Sequence, residues 1–196
     1  MLGRAAADER QASGRRRFLG LLRLGAGAAR SSRSGADRSD ATGDGLSLAW
    51  VTADLALSRA PRGDEWSRVV AAGVRAVAEV RAEATDDVAV LTGLGVAYRR
   101  FTVPEGASPS PQELTALTDW VGAWIDEARP VLIHCREGRG RSALAACAVL
   151  VRYGHGVAEA YDLVRKARPM IALSEDQVDC LTRFASGSER RLNHGA

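Results

Sequence analysis

The sequence predicts an α/β domain in which helices flank a central, mostly parallel sheet of about four to five strands, followed by a helical C-terminal third. Three observations support this prediction. Strand-like and helix-like patterns alternate from residue 46 onward. Residues 131–133 form a wholly apolar run, which is typical of a central parallel strand covered on both faces. After residue 142, three segments with helical periodicity follow one another.

The individual elements follow from local patterns. Short apolar or β-branched runs predict strands at 46–52, 55–58, 74–80, 96–103 and 131–133. Apolar residues at helical spacing predict helices at 65–73, 86–93, 142–153, 157–167 and 175–185. A further helix begins at Ser110, where Glu113 completes a capping box, and ends before Pro130. Ser174 and Gln177 have the same capping-box spacing.

Charge divides the chain of 196 residues into a tail and a domain. Residues 1–45 contain nine arginines, five acidic residues and few groups to bury, which predicts a disordered tail rich in Arg, Gly, Ala and Ser. Residues 46–187 are predicted to form the folded domain, and residues 188–196 a flexible C-terminus. From residue 46 onward, 18 basic side chains face 19 acidic ones. This near-neutral balance argues against nucleic acid as a partner.

The expected location is the cytoplasm. No run of 18 uncharged apolar residues occurs, so we expect no membrane-spanning helix. The three cysteines are 12 and 33 residues apart, which is not the spacing of a zinc knuckle or a redox dithiol and favours a reducing compartment. Export is the alternative, because Arg15-Arg16-Arg17-Phe18-Leu19 resembles a twin-arginine signal, although Arg23 interrupts the apolar stretch after it.

The predicted central strand leads into the most informative segment of the chain, His134-Cys135-Arg136-Glu137-Gly138-Arg139-Gly140-Arg141-Ser142. Backbone N–H groups of a tight loop can converge on an anion, and a helix N-terminus adds positive potential at the same point. Gly138 and Gly140 permit φ values and a close approach of the backbone that larger residues resist. The Arg141 guanidinium can hold two oxygens of a phosphoryl group. The same field favours the thiolate of Cys135, a ready nucleophile.

This loop resembles the Cys-x5-Arg signature of the cysteine-dependent protein phosphatases, and its His-Cys-x-x-Gly-x-x-Arg-Ser form is most similar to the dual-specificity branch. The similarity covers about residues 47–186, where it implies a protein tyrosine phosphatase-like catalytic domain. The resemblance implies that Cys135 attacks phosphorus and forms a phosphocysteine intermediate. The N–H groups of 136–141 and the Arg141 side chain would bind the phosphoryl oxygens. Ser142 would hydrogen-bond the sulfur, and His134 would orient the loop and tune the thiol.

The implied reaction needs neither a metal nor another cofactor, because the loop and Arg141 supply the positive charge. Members of this family carry an aspartate as general acid about thirty residues before the cysteine. Here the corresponding residue is Glu105, a competent acid with one extra methylene. Asp119 and Asp126 are poorer candidates, because they lie on the following predicted helix. A solvated loop carboxylate is the simpler interpretation of Glu105.

Several other residues have ordinary structural interpretations. Gln177 could orient a hydrolytic water, as a glutamine does in some members of the family, but its place in a capping box is a sufficient reason for it. Arg139 fits either a pocket rim or a solvated position. Four further residues fit packing roles on apolar helix faces, although either tryptophan could line a cleft; they are Trp120, Trp124, Cys147 and Cys180.

The expected substrate is a phosphorylated protein that carries phosphotyrosine, with phosphoserine and phosphothreonine as further targets of a dual-specificity enzyme. The same chemistry would also serve on a phosphoinositide or on an RNA 5′ phosphate. Those sites tend to be more basic, and here Glu137 offsets part of the charge of Arg136 and Arg139. A phosphate-binding module without turnover is an alternative of a different class.

Overall fold

The computed structural model describes residues 45–193, with side chains as far as Ser188. Its centre is a five-stranded sheet with the order β1-β2-β5-β3-β4, and only β1 runs antiparallel to its neighbour. The strands are β1 (Ala49–Trp50), β2 (Leu55–Arg59), β3 (Ala76–Glu79), β4 (Ala97–Arg100) and β5 (Val131–Cys135). This mixed, mostly parallel sheet confirms the predicted fold class. The predicted tail up to residue 44 and the arginine motif at 15–19 lie outside the described residues.

Six helices are described on the two sides of this sheet. They are α1 (Glu65–Ala71), α2 (Val88–Gly93), α3 (Pro111–Asp126), α4 (Arg141–Arg152), α5 (Val157–Ala167) and α6 (Glu175–Asn193). The last three follow one another without an intervening strand, which confirms the helical C-terminal third. Both predicted capping boxes form, at Ser110 with Glu113 and at Ser174 with Gln177. No helix within residues 45–193 is long and apolar enough to cross a membrane.

The central strand β5 is covered on both faces, as its apolar sequence predicts. Ile133 belongs to the larger core, which lies between the sheet and the long helices α3 to α6. Leu132 faces the opposite side and packs in a smaller core with Trp66 of α1 and Leu91 of α2. All three side chains of the predicted run 131–133 are fully buried. Because successive side chains of a strand point to opposite faces of the sheet, β5 contributes to the hydrophobic cores on both sides.

The first predicted strand is shorter than expected. A strand over 46–52 was the expectation, but only Ala49–Trp50 pair with β2. The chain turns immediately afterwards, because the N–H of Val51 donates to the carbonyl of Leu55 at 2.8 Å. The N–H of Asp54 donates to the hydroxyl of Thr52 at 3.2 Å within the same turn.

Helix α2 begins two residues later than the predicted start at Asp86. Asp87 is its N-cap, with a side chain that accepts hydrogen bonds from the N–H groups of Ala89 and Val90. Asp86 lies outside the helix, and its carboxylate is directed at His134. By residue type, Asp86 and Asp87 are equally suitable N-caps. Asp87 takes this position because the carboxylate of Asp86 is bonded to His134.

Two other ends differ from the prediction, those of β4 and α6. Strand β4 ends at Arg100 and not at residue 103, since the N–H of Val103 bonds back to the carbonyl of Phe101. Helix α3 ends at Asp126, before Pro130 as predicted, and Ala128 after it adopts a φ of 59°. Helix α6 continues to Asn193, beyond the predicted end at 185. The remaining boundaries agree within two residues.

The parallel strands end on the same edge of the sheet. Strand β5 ends there at Cys135, in register with Arg59 at the end of β2. Strand β3 ends at Glu79, in register with His134. The segments that follow β2, β3 and β5 therefore meet around Cys135, at the carboxyl edge where open α/β sheets bind their ligands.

Candidate active site

The loop after β5 turns its backbone around the sulfur of Cys135. Cys135 is 3% exposed and is the last residue of the strand. The N–H of Gly138 donates to its Sγ at 3.3 Å, and the hydroxyl oxygen of Ser142 lies 3.4 Å from the same sulfur. Helix α4 begins at Arg141 with Gly140 as its N-cap, so the positive end of the helix dipole lies beside the sulfur. This arrangement favours a negative charge on sulfur and on any anion bound next to it.

Gly138 cannot be replaced by a residue with a side chain unless the loop moves. Its φ of +69° lies in the left-handed region, and a Cβ built on it would stand 2.4 Å from the carbonyl oxygen of Ser58. That oxygen belongs to the backbone of β2 and cannot move aside without moving the strand. The loop is therefore seated directly on the end of β2, which brings the Gly138 N–H to the sulfur.

Arg141 is held by a carboxylate that the sequence analysis missed. The guanidinium of Arg141 donates to both carboxylate oxygens of Glu83, at 2.6 and 2.7 Å, and to the carbonyl of Val103 at 3.0 Å. The hydrogen bond from Arg141 is the main reason why the pKa of Glu83 falls from 4.5 to about 2. The same bond raises the pKa of Arg141. The Arg141 guanidinium is thus held in one position by Glu83 and Val103 alone.

A second arginine secures the loop from outside. Arg168, between α5 and α6, donates to the carbonyl oxygens of Gly138 at 2.6 Å and Glu137 at 3.0 Å. Peptide planes whose N–H groups face inward turn their carbonyls outward, and those carbonyls need donors. Burial is the main cause that lowers the pKa of Arg168, and the charge of Cys135 opposes this effect. Arg168 also went unnoticed in the sequence, where it is one of many arginines.

A cavity of about 320 Å³ opens above the sulfur. Its lining includes six of the residues predicted for the site: Glu105, Cys135, Glu137, Arg139, Gly140 and Arg141. His134 and Ser142 do not reach this surface, because both are fully buried beneath the loop. Arg136, also predicted for the site, lines a neighbouring cavity of about 510 Å³ instead.

Glu105 lies on the loop before α3, at the rim of the catalytic cavity. Its side chain is 63% exposed, and one carboxylate oxygen is 3.4 Å from a guanidinium nitrogen of Arg136. The two alternative acids are engaged elsewhere: Asp119 pairs with Arg152, and Asp126 accepts a hydrogen bond of 2.7 Å from Tyr153. Of the three candidate acids, only Glu105 lines the cavity that contains Cys135.

Gln177 has both of the features that the sequence analysis weighed against each other. Its side-chain oxygen accepts from the N–H of Ser174 at 3.2 Å, as a capping box requires. Its amide group also lines the cavity, within about 3.5 Å of the position that a Cβ on Gly140 would take. Arg139 is exposed at the cavity rim.

The remaining cysteines and tryptophans are packing residues, as expected. Cys147 is fully buried, and burial raises the pKa of its thiol to about 12. Cys180 is 4% exposed, and its sulfur is 3.4 Å from the carbonyl of Pro109. Trp120 and Trp124 pack against the larger core, and neither lines the cavity.

The family of the chain follows from its similarity to known proteins. The model of the family described as "Tc-R-P: Polymorphic toxin system, DSP-PTPase phosphatase" matches residues 53–155. The chain belongs to this family. The match includes the Cys135 loop together with Glu83 and Glu105. No curated protein matches the chain significantly.

Solved structures agree with this assignment. The crystal structure of Tk-PTP in the active form is 27% identical, with a TM-score of 0.66, and the similarity covers 71% of this chain and 96% of that one. A single-residue variant of human DUSP28 is 25% identical with a TM-score of 0.66, covering 74% and 97% of the two chains. PTPMT1 in complex with PI(5)P shares the fold at 22% identity and a TM-score of 0.68, covering 72% and 96%.

This DSP-PTPase is therefore a cysteine-based phosphatase, as the resemblance of its Cys-x5-Arg loop implied. Its substrate is phosphorylated. The family match and the structural neighbours support an enzyme over a binding module without turnover.

Replacing Gly138 by alanine should impair activity far more than the same change at another glycine. A shift of the loop by about 1 Å costs about 10²-fold in rate at a reacting centre. Gly95 has the same φ of +69° and nothing within 4 Å of its missing Cβ, so Gly95→Ala tests backbone strain alone. We expect Gly95→Ala to lose about 1 kcal/mol of stability and to retain activity. Equal activity of the two variants with p-nitrophenyl phosphate would contradict the seating of the loop on β2.

Glu83→Gln should destabilise the domain in a pH-dependent way. The pKa of Glu83 is about 2 in the folded chain against an ordinary value of 4.5, so the unfolded chain takes up the proton first as the pH falls. The stabilising contribution is therefore complete above about pH 4.5 and disappears toward about pH 2. Urea unfolding of both proteins across this range measures the difference. Glu127→Gln, at an exposed carboxylate outside the site, is the control. A difference that does not change with pH would refute the ion pair.

Proposed function

We propose that this enzyme is a dual-specificity phosphatase that hydrolyses phosphotyrosine in proteins with Cys135 as its nucleophile. The observation that carries the proposal is the position of the Cys135 sulfur, at the floor of a cavity with the Gly138 N–H and the Arg141 side chain beside it. The sulfur attacks phosphorus, the S–P bond forms, and the bond from phosphorus to the ester oxygen breaks. Water then attacks phosphorus, and the S–P bond breaks to release phosphate.

The loop of residues 136–141 and the Arg141 side chain, together called the phosphate cradle, supply the charge that the transition state needs. Phosphoryl transfer spreads negative charge over three equatorial oxygens, and preorganised donors stabilise it most effectively. The N–H groups of residues 136–141 and the guanidinium of Arg141 take this role. A metal ion is not needed for it. Ser142, whose hydroxyl is 3.4 Å from the sulfur, hydrogen-bonds the thiolate as it leaves in the second step.

Glu105 is proposed as the general acid. It protonates the ester oxygen as the first P–O bond breaks and can then take a proton from the attacking water. Its place on the cavity rim supports this role, and Arg136 holds the carboxylate on that side. The glutamate has one more methylene than the aspartate of related enzymes, so the loop before α3 sets how well the proton is delivered.

The charge of the cavity favours a substrate with one phosphoryl group. Apart from Cys135, its ionisable lining consists of Arg139 and Arg141 against Glu105 and Glu137, which gives no excess of cations. A phosphoinositide with several phosphates or a triphosphorylated RNA end would call for an excess of cations. A phosphotyrosine side chain of a protein needs only the phosphate cradle itself. Because all three cysteines are free, we place the enzyme in a reducing compartment, the cytoplasm.

A substrate panel in the presence of EDTA tests this function. It contains phosphotyrosine, phosphoserine and phosphothreonine peptides, inositol phospholipid vesicles and RNA with a 5′ triphosphate. We expect the highest kcat/KM for the phosphotyrosine peptide, inhibition by vanadate, and no turnover by Cys135→Ser. Faster hydrolysis of the lipid or the RNA would replace the protein substrate, and turnover by Cys135→Ser would remove Cys135 from its role.

Glu105→Gln should slow the enzyme to an extent that depends on the leaving group. Loss of a general acid costs about 10²- to 10⁴-fold when the leaving oxygen needs a proton, as in a phosphoserine peptide. The loss should be much smaller with p-nitrophenyl phosphate, whose leaving group is a stable anion. Asp119→Asn, at the rejected acid on α3, is the matched control and should retain wild-type rates on both substrates. Equal losses on both substrates would exclude Glu105 as the acid.

A further inference from the structure

His134 lies behind the nucleophile with both ring nitrogens engaged. The ring is fully buried and packs edge-on against Trp66, with 5.9 Å between ring centroids. Its Nε2 is 2.7 Å from a carboxylate oxygen of Asp86, and its Nδ1 is 3.4 Å from the carbonyl oxygen of Cys135. Both partners can only accept when Asp86 is ionised, so each ring nitrogen must donate.

Asp86 is the last member of a buried polar chain. Its other carboxylate oxygen accepts from a guanidinium nitrogen of Arg81 at 2.8 Å. Arg81 also donates to Glu79, and the same Glu79 accepts from the hydroxyl of Tyr98. The N–H of Asp86 donates to Glu79 at 3.2 Å. The side chains of Glu79 and Asp86 are 0% and 2% exposed, so water contributes little to their solvation.

Among the side chains that are hydrogen-bonded to one another, the charges balance only when the histidine is included. The neighbouring Arg100 donates instead to the backbone carbonyls of Arg81 at 3.2 Å and Ala82 at 2.6 Å. Glu79 and Asp86 carry two negative charges, Arg81 carries one positive charge, and Tyr98 is neutral, because burial raises its pKa to about 12. A buried net charge is costly. A proton on each ring nitrogen of His134 gives the ring one positive charge, which compensates the second carboxylate. The two N–H groups then face the Asp86 carboxylate and the Cys135 carbonyl.

We propose that Asp86 is a positioning residue that keeps His134 protonated on both nitrogens and so places a fixed positive charge behind Cys135. The Nδ1–H of His134 is then directed at the Cys135 carbonyl, which fixes the peptide that carries the nucleophile. This role rests on the proposed function of Cys135. The contact of His134 with Asp86 and Cys135 is a second set of interactions that holds the loop, in addition to the contact of Arg141 with Glu83.

The same segment contributes to both sets of interactions. The loop between β3 and α2 contains Asp86, which is bonded to His134, and Arg81, which is bonded to Asp86. It also contains Glu83, which is bonded to Arg141. The loop therefore joins the histidine behind the sulfur to the arginine in front of it. Trp66 of α1 closes the remaining face of the ring with an uncharged surface.

The decisive test compares Asp86→Asn with Asp87→Asn. Asp87 is the exposed neighbour that caps α2, and asparagine serves equally well as an N-cap. We expect Asp86→Asn to lower kcat/KM for a phosphotyrosine peptide at least about ten-fold, the loss typical of one charge-assisted hydrogen bond. It should also move the pH profile of Cys135 alkylation by iodoacetamide to higher pH. Asp87→Asn should behave like the wild type in both assays.

A direct measurement of the histidine makes the test independent of folding and of turnover. In the wild type, ¹⁵N NMR of the His134 ring at neutral pH should give the signature of two protonated nitrogens, and in Asp86→Asn that of a neutral ring. A wild-type ring with one unprotonated nitrogen would overturn the proposal even if Asp86→Asn did not fold. So would an unchanged alkylation profile in a folded Asp86→Asn, since a structural role alone would lower only the melting temperature. Turnover by Cys135→Ser would instead remove the proposed nucleophile and leave the ring measurement valid.

Discussion

The sulfur of Cys135 lies within hydrogen-bond distance of the Gly138 N–H and the Ser142 hydroxyl, and several contacts from other parts of the domain hold the loop in this shape. A loop that turns its N–H groups inward must turn its carbonyls outward, and each outward carbonyl needs a partner. Arg168 provides donors to the carbonyls of Glu137 and Gly138. The N–H of Ala60, after β2, donates to the carbonyl of Arg136 at 3.2 Å. These contacts stabilise a backbone shape that is adapted to an anion.

The charged groups of the site are also fixed in advance. The guanidinium of Arg141 is held by Glu83 and by the carbonyl of Val103, so the protein alone sets its position. Preorganisation of this kind is more effective than flexible charge, because no reorganisation is needed as the reaction proceeds. Glu105 differs from these groups in being 63% exposed, with a contact of 3.4 Å to the guanidinium of Arg136.

The parts of the site that are continuous in sequence were predictable, and the residues that support them were not. The spacing of Cys135 and Arg141 identified the phosphate cradle, and the apolar run before it identified the central strand. Capping boxes placed the starts of two helices, because their hydrogen bonds join residues only three positions apart. Glu83, however, is 58 residues from Arg141, and Asp86 is 48 residues from His134. Both carboxylates lie on a loop with the composition of any polar turn, and only the parallel register of β3 with β5 brings them to the site.

The central claim is that phosphorus becomes bonded to the sulfur of Cys135 during turnover. Rapid denaturation of the enzyme in the presence of substrate, followed by mass spectrometry of its peptides, tests this most directly. We expect the added mass of one phosphoryl group on the peptide that contains Cys135. A phosphoryl group on any other residue, or turnover without a phosphorylated peptide at any quench time, would contradict it.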